Sequence, residues 1–140
     1  MKILTDACFW IALFDDRDQF HSNAIALYDY VSIAEVYFPW PIMYEIFSTR
    51  FVRKKHSLTK FKIEINKIRK FFICDNVYRE SVLESIVDKR SFSRNLSLVD
   101  LVIRSILDDR SFHFDAFITF NVNDFFDVCS SRRVEILAEV

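Results

Sequence analysis

Glycine is absent from the 140 residues, where average usage of about 7% would place roughly ten. Phosphate-cradling loops of the G-x-G-x-x-G and Walker types need glycine so that backbone can approach phosphate closely. Its absence argues against dinucleotide binding and P-loop chemistry. Cysteine is sparse: Cys8, Cys74 and Cys129 are odd in number, widely scattered and without a C-x-x-C pair. Neither a disulfide framework nor a zinc knuckle is supported. Long apolar runs are missing too. Ala7 to Phe14, the longest near the N-terminus, falls far short of the about 20 residues that cross a bilayer. The opening Met-Lys-Ile-Leu-Thr-Asp lacks the basic region, apolar region and small-residue cleavage site of a signal peptide. The expected location is therefore the cytoplasm. A dominant charge is lacking as well: the net charge is -1, so attraction to phosphate has to come from a local patch.

What is present suffices for one core. Half of the chain, 51%, is hydrophobic, and the sixteen Phe are expected to fill the interior. Lys2 to Thr5 reads as a short buried strand and Ala7 to Phe14 as an apolar helical segment. Asp18 is placed to cap a helix that carries Ala24, Leu27, Tyr28 and Val31 on one face and runs to about Ala34. Val36 to Phe38 forms a second strand, broken by Pro39-Trp40-Pro41, with Pro41 suited to the first turn of the next helix. That helix carries Ile42, Glu45, Ile46 and Thr49. Leu58, Phe61, Ile65, Ile68 and Phe72 make a further helical stripe, and Phe72 to Cys74 a third strand. A helix with Val82, Leu83, Ile86 and Val87 follows, then one capped by Ser97 with Leu98, Leu101 and Val102. Asp115 to Thr119 reads as a strand, Asp124 to Cys129 as a short helix and Val134 to Leu137 as the last strand.

This alternation predicts a single α/β domain over residues 1–140, with a mostly parallel sheet and helices on both faces. Such sheets bind ligands outside the carboxyl ends of their strands. Asp6 ends the first strand, and Asn121 follows the strand that ends at Thr119.

Four acids sit in apolar surroundings. Asp6 adjoins two apolar segments, Glu45 lies among Pro41, Ile42, Met43, Tyr44, Ile46 and Phe47, and Asp100 is flanked by Leu98-Val99 and Leu101-Val102. Asp124, with Asn121 and Asn123, follows Ile118-Thr119. Carboxylates in such places are costly unless paired, hydrogen-bonded or bound to a cation. Several together repel when ionised, and a divalent ion relieves that repulsion. With oxygen ligands and no His or Cys cluster, the ion is Mg²⁺ or Mn²⁺ and not zinc. Each acid also has a purely structural reading. Asp6 and Asp124 can cap the helices that follow them. Glu45 can be a first-turn acid or an i,i+4 partner, and Asp100, three after Ser97, has the spacing of a capping box.

The segment Ile3-Leu4-Thr5-Asp6-Ala7-Cys8-Phe9-Trp10-Ile11-Ala12-Leu13-Phe14-Asp15-Asp16 resembles the opening of PIN-domain ribonucleases, especially VapC-like toxins of toxin–antitoxin pairs. Pro41-Ile42-Met43-Tyr44-Glu45-Ile46 is similar to that family's second acidic motif. Leu96-Ser97-Leu98-Val99-Asp100-Leu101-Val102 resembles its third, and Ile118-Thr119-Phe120-Asn121-Val122-Asn123-Asp124-Phe125 its last. The resemblance spans Ile3 to about Val128. It implies a three-layer α/β/α PIN-like fold and metal-dependent hydrolysis of RNA phosphodiesters. It further implies Asp6, Glu45, Asp100 and Asp124 as catalytic residues, with Asp6, Glu45, Asp100 and Asn121 around Mg²⁺ or Mn²⁺. It also implies an antitoxin protein as partner and a homodimer. The family's stricter pattern has aspartate where Asn121 stands; an amide can coordinate a cation or orient water but brings no charge. Thr119 is placed to hydrogen-bond phosphate or ligand, or simply to end its strand.

The basic patch lies in residues 50–70. Arg50, Arg53, Lys54, Lys55, Lys60, Lys62, Lys67, Arg69 and Lys70 are opposed there only by Glu64, a local +8. Arg50, Arg53, Lys54 and Lys55 are the expected RNA contacts; a solvated helix face or a surface for an acidic protein are the other readings. Two further functions stay open: a catalytically weak PIN-like module that binds RNA or protein, and another α/β enzyme built on Asp6, such as a phosphotransfer domain. A haloacid-dehalogenase site would want a second Asp where Cys8 stands.

Overall fold

The computed structural model describes residues 1–88 and 96–139, and every candidate site residue lies among them. Five parallel strands form one sheet: β1 (Lys2–Thr5), β2 (Glu35–Pro39), β3 (Arg69–Ile73), β4 (Ala116–Ile118) and β5 (Glu135–Leu137). Their order across the sheet is β3-β2-β1-β4-β5. The chain therefore steps outward from β1 to β3, then returns past β1 to β4 and β5. Parallel crossovers are right-handed, so the two sets of connecting helices lie on opposite faces. The first set is α1 (Ala7–Phe14), α2 (His21–Ile33), α3 (Trp40–Ile46), α4 (Thr49–Arg53) and α5 (Lys55–Lys67). The second is α6 (Asn76–Asp88), α7 (Leu98–Asp108) and α8 (Val122–Arg132). The expected α/β/α architecture is the one observed.

Burial follows from that layering. Ile3, Leu4 and Thr5 of β1, and Ala116, Phe117 and Ile118 of β4, are fully buried, as central parallel strands covered on both faces must be. β3 is an edge strand and stays largely exposed; it carries Arg69 and Lys70, charges that discourage edge-to-edge pairing. The Phe are divided. Phe9, Phe38, Phe114, Phe117 and Phe125 are fully buried, whereas Phe71, Phe72 and Phe126 are exposed. No helix among the described residues is long and apolar enough to cross a membrane.

Several boundaries differ from the sequence expectation. Ile68 does not continue the helix of Leu58, Phe61 and Ile65: it takes extended angles of φ -100° and ψ 156°, and β3 begins at Arg69 rather than Phe72. The three-and-four spacing ran on into the strand by coincidence. Asp18 lies ahead of its helix. Its carboxylate accepts from the Phe20 N–H at 2.8 Å, while Phe20 occupies the cap position of α2. The last helix starts at Val122 with Asn121 at its cap position, so Asp124 is a first-turn residue and not the cap.

A chain without glycine must end its helices otherwise. Arg133, at φ 55° and ψ 41°, closes α8 in the left-handed region and is the one non-glycine residue with positive φ among those described. Arg133→Gly should raise stability by about 0.5–1 kcal/mol, the left-handed penalty less the extra freedom of the unfolded chain. Urea unfolding measures this, and a loss of stability would show that the Arg133 side chain matters more than its backbone.

Candidate metal centre at the carboxyl end of the sheet

Asp6 follows β1 directly, and its N–H extends the ladder by donating to the Ile118 carbonyl at 3.1 Å. Its side chain caps α1, as one reading of the sequence had it: Oδ1 accepts from the Ala7 N–H at 2.8 Å. The other oxygen faces Thr119. The Thr119 hydroxyl donates to Oδ2 at 2.8 Å, and the Cys8 thiol approaches the same oxygen at 3.5 Å. Asp6 is 4% exposed. Burial raises its carboxyl above the ordinary value, and the charge of Asp100 adds to that. The hydrogen bonds from Thr119, Ala7 and Cys8 pull the other way.

Glu45 arrives from α3, which starts immediately after β2, the neighbour of β1. Although the residue as a whole is exposed, its carboxyl is enclosed enough for burial to be the main cause of a rise to about 7. The charges of Asp6 and then Asp100 add to it. Asp100 stands in the first turn of α7 and forms the expected capping box. Its N–H donates to Ser97 Oγ at 3.1 Å, and its Oδ2 accepts from the Ser97 N–H at 3.3 Å. The capping reading of Asp100 holds, and the charge of the same side chain also acts on Asp6 and Glu45. Three acids from three elements thus lie within one another's field. Among the described residues, no three His, Cys, Asp or Glu side chains stand at ready-made ligand spacing.

Thr119 is the hinge of the site. Fully buried at the end of β4, it donates to Asp6 and accepts from the Asn121 N–H at 3.1 Å. Asn121 is exposed and its side chain makes no capping bond. Asp124 is half-buried one turn on, and its carbonyl accepts from Arg104 at 2.7 Å. Sequence reasoning gave Arg104 no role, although its place four residues after Asp100 puts the two on one helix face.

The basic stretch is partly committed to the fold. Arg50 and Lys54 both reach Asp15 Oδ2, at 3.5 and 3.1 Å. Asp15 is buried. Burial alone would raise its carboxyl, but the Lys54 hydrogen bond, the Arg17 N–H and the charges of Lys54 and Arg50 hold it below the ordinary value. Asp15 closes the far end of α1 from Asp6, about 13–14 Å away at about 1.5 Å per residue. Arg53 and Lys55 are exposed.

No protein-family profile and no curated protein matches the sequence. Solved structures do match the fold. The structure of Mycobacterium tuberculosis VapC20, a Sarcin-Ricin loop cleaving toxin, aligns with a TM-score of 0.66 and 19% identity, over 87% of this chain and 92% of that one. VapBC2 from Rickettsia felis, bound to a DNA fragment from their promoter, aligns with a TM-score of 0.54 and 13% identity, over 97% of each chain. The chain shares the fold of these toxin–antitoxin proteins, as the sequence resemblance implied.

Proposed function

We propose that the protein is an endoribonuclease that hydrolyses RNA phosphodiesters with Mg²⁺ or Mn²⁺, acting as the toxin of a toxin–antitoxin pair. What supports this is that the charges of Asp6, Glu45 and Asp100 act on one another beside the carboxyl end of the sheet, on a fold shared with a Sarcin-Ricin loop cleaving toxin. The donor set is all oxygen and negatively charged, which suits a hard divalent cation. Asp6, Glu45 and Asp100 would hold it, with Asn121 as a neutral fourth donor. The chemistry such a cation would supply there is polarisation of the scissile phosphate and a lowered pKa for a water. The chain's own groups do the rest. Thr119 fixes the orientation of the Asp6 carboxylate, Asp124 supplies a further acid beside Asn121, and Arg53 and Lys55 attract the RNA backbone, with Arg50 and Lys54 behind them. An antitoxin protein, a homodimeric assembly and a cytoplasmic location belong to the same proposal.

The absence of a charge at Asn121 favours a second reading, a module that binds RNA without cutting it. Incubating the purified protein with total RNA, with Mg²⁺, with Mn²⁺ or with a chelator, separates the two. Cleavage is expected only with the cation. Cleavage that survives the chelator, or none with either metal, would reject the metal-dependent nuclease.

Glu45 gives the site a pH dependence. Its carboxyl is raised from 4.5 to about 7, so the folded state holds a proton that the unfolded state has released. Without metal, the contribution of Glu45 to stability should be full below pH 4.5 and be lost as pH rises through about 7. Cation binding requires the ionised form, so cleavage should climb through the same interval and level off above it. Thermal melts from pH 4.5 to 8, with and without Mn²⁺, test both limbs: the metal-free melting temperature should fall and the Mn²⁺-induced gain should grow. Parallel curves would remove Glu45 from the site.

A further inference from the structure

We infer that Arg104 is the positioning residue that sets the acid centre's spacing, by locking the helix of Asp100 to the first turn of α8. The inference rests on the nuclease reading above. Arg104 spreads its guanidinium fork over α8: Nη1 donates to the Asp124 carbonyl and to Asp127 Oδ1, and Nη2 to Asp127 Oδ2, each at 2.7 Å. Such a planar, two-pronged grip fixes orientation as well as distance, which a lysine cannot do. Its side chain is 23% exposed against 47% for Asp127, so the arginine is the more sheltered member of the pair.

From that grip a continuous path runs to the central acid. The Asp124 N–H donates to the Asn121 carbonyl at 3.1 Å, and the Asn121 N–H to Thr119 Oγ1, also at 3.1 Å. Thr119 Oγ1 in turn donates to Asp6 Oδ2 at 2.8 Å. On its own helix, Arg104 lies one turn after Asp100. One side chain therefore bears on both Asp6 and Asp100, from a place that touches neither. Moving α8 relative to α7 would shift Thr119's donor against Asp6 and alter the separation of the acids. The pair does not fill a core. It borders an open cleft of about 440 Å³, also lined by Ser81, Ser85, Ser105 and Ser131. Solvent can take the place of the lost contacts, so the helices remain packed while their register loosens.

The test compares direct Mn²⁺ binding, read from the free-ion resonance signal, in the wild type, Arg104→Gln, Arg104→Lys, Asp127→Asn and Asp6→Asn, each well below its melting temperature. Arg104→Gln should weaken Mn²⁺ binding about tenfold, the scale for losing a group that orients metal ligands. Asp127→Asn should do so less, because the Asp124 carbonyl bond survives. Arg104→Lys should recover only part of the loss, and it stands in for the glutamine variant should that one fail to fold. Cleavage should need correspondingly more Mn²⁺ for half-maximal rate, with the maximal rate at saturating metal much less affected. Lowered melting temperatures with wild-type Mn²⁺ affinity would make Arg104 a structural ion pair and overturn the proposal. If the wild type binds no Mn²⁺, or Asp6→Asn binds it equally well, the nuclease reading itself fails and takes the proposal with it.

Discussion

Asp6→Asn is expected to lower RNA cleavage by about a thousand-fold or more, the scale on which one charged member of a catalytic unit is lost. The fold should survive. An asparagine oxygen still accepts from the Ala7 N–H at the start of α1, and its amide can face the Thr119 hydroxyl, which turns to accept. Burial and Asp100 both disfavour the Asp6 charge, so the metal-free variant should melt no lower than the wild type at neutral pH. Rates on a fixed RNA at saturating Mn²⁺ and thermal melts without metal are the two measurements. Undiminished cleavage would reject the role given to Asp6. A collapsed melt would show that its capping of α1 outweighs the burial of its charge.

The largest effect on stability is expected at Trp10. Its side chain is fully buried, stacked on Phe38 with centroids 4.8 Å apart and edge-on to Phe9 and Phe61 at 4.9 and 5.8 Å. Truncating such a residue leaves a cavity and costs about 3–5 kcal/mol. Trp10 also carries a polar duty. Its indole N–H donates to Thr5 Oγ1 at 3.0 Å, and that hydroxyl donates to the Tyr37 carbonyl, also at 3.0 Å. This ties together β1, α1 and β2 next to Asp6. Trp10→Ala should therefore unfold at much lower urea and weaken Mn²⁺ binding while still folded. Trp10→Phe, which keeps most of the ring contact, should lose less stability. A shift below about 1 kcal/mol for Trp10→Ala would mean that the core refills the space, contrary to close packing.

The sequence made the acids legible because their surroundings are wrong for solvated charge. Asp6, Glu45 and Asp100 each stand among apolar neighbours in the sequence, and Asp6 is indeed buried while the carboxyl of Glu45 is partly enclosed. β1 and α1 were readable to the residue, since a short apolar strand, a capping aspartate and an apolar run leave few alternatives. The capping box followed from the Ser97–Asp100 spacing. Other features depend on what comes from far away in the chain. Nothing near Arg50 and Lys54 announces Asp15 as their partner, because the ion pairs form only when α4 and its junction with α5 come to the end of α1. Arg104 was silent for a related reason: one of its targets is the carbonyl of Asp124, and a backbone acceptor has no signature in side-chain type. Phe71 and Phe72 looked like core until β3 was found at the sheet edge.

β1 precedes the other four strands in the chain and is the middle strand of the sheet, and its pairing has a consequence for the order of folding. The Thr119–Asp6 hydrogen bond spans 113 positions, and Ile3 pairs with Ala116. Contacts so distant are costly to close and form slowly. Synthesis proceeds at about 5–20 residues per second, so on the order of several seconds separates the appearance of Glu45 from that of Thr119. In that interval the nascent chain carries Asp6 and Glu45 but has neither Asp100 docked nor Thr119 in place. Under the proposed activity, a protein that cuts RNA is thus inert while it is still emerging from the machine that reads its own message. The three acids come together only once the last third of the chain has come home.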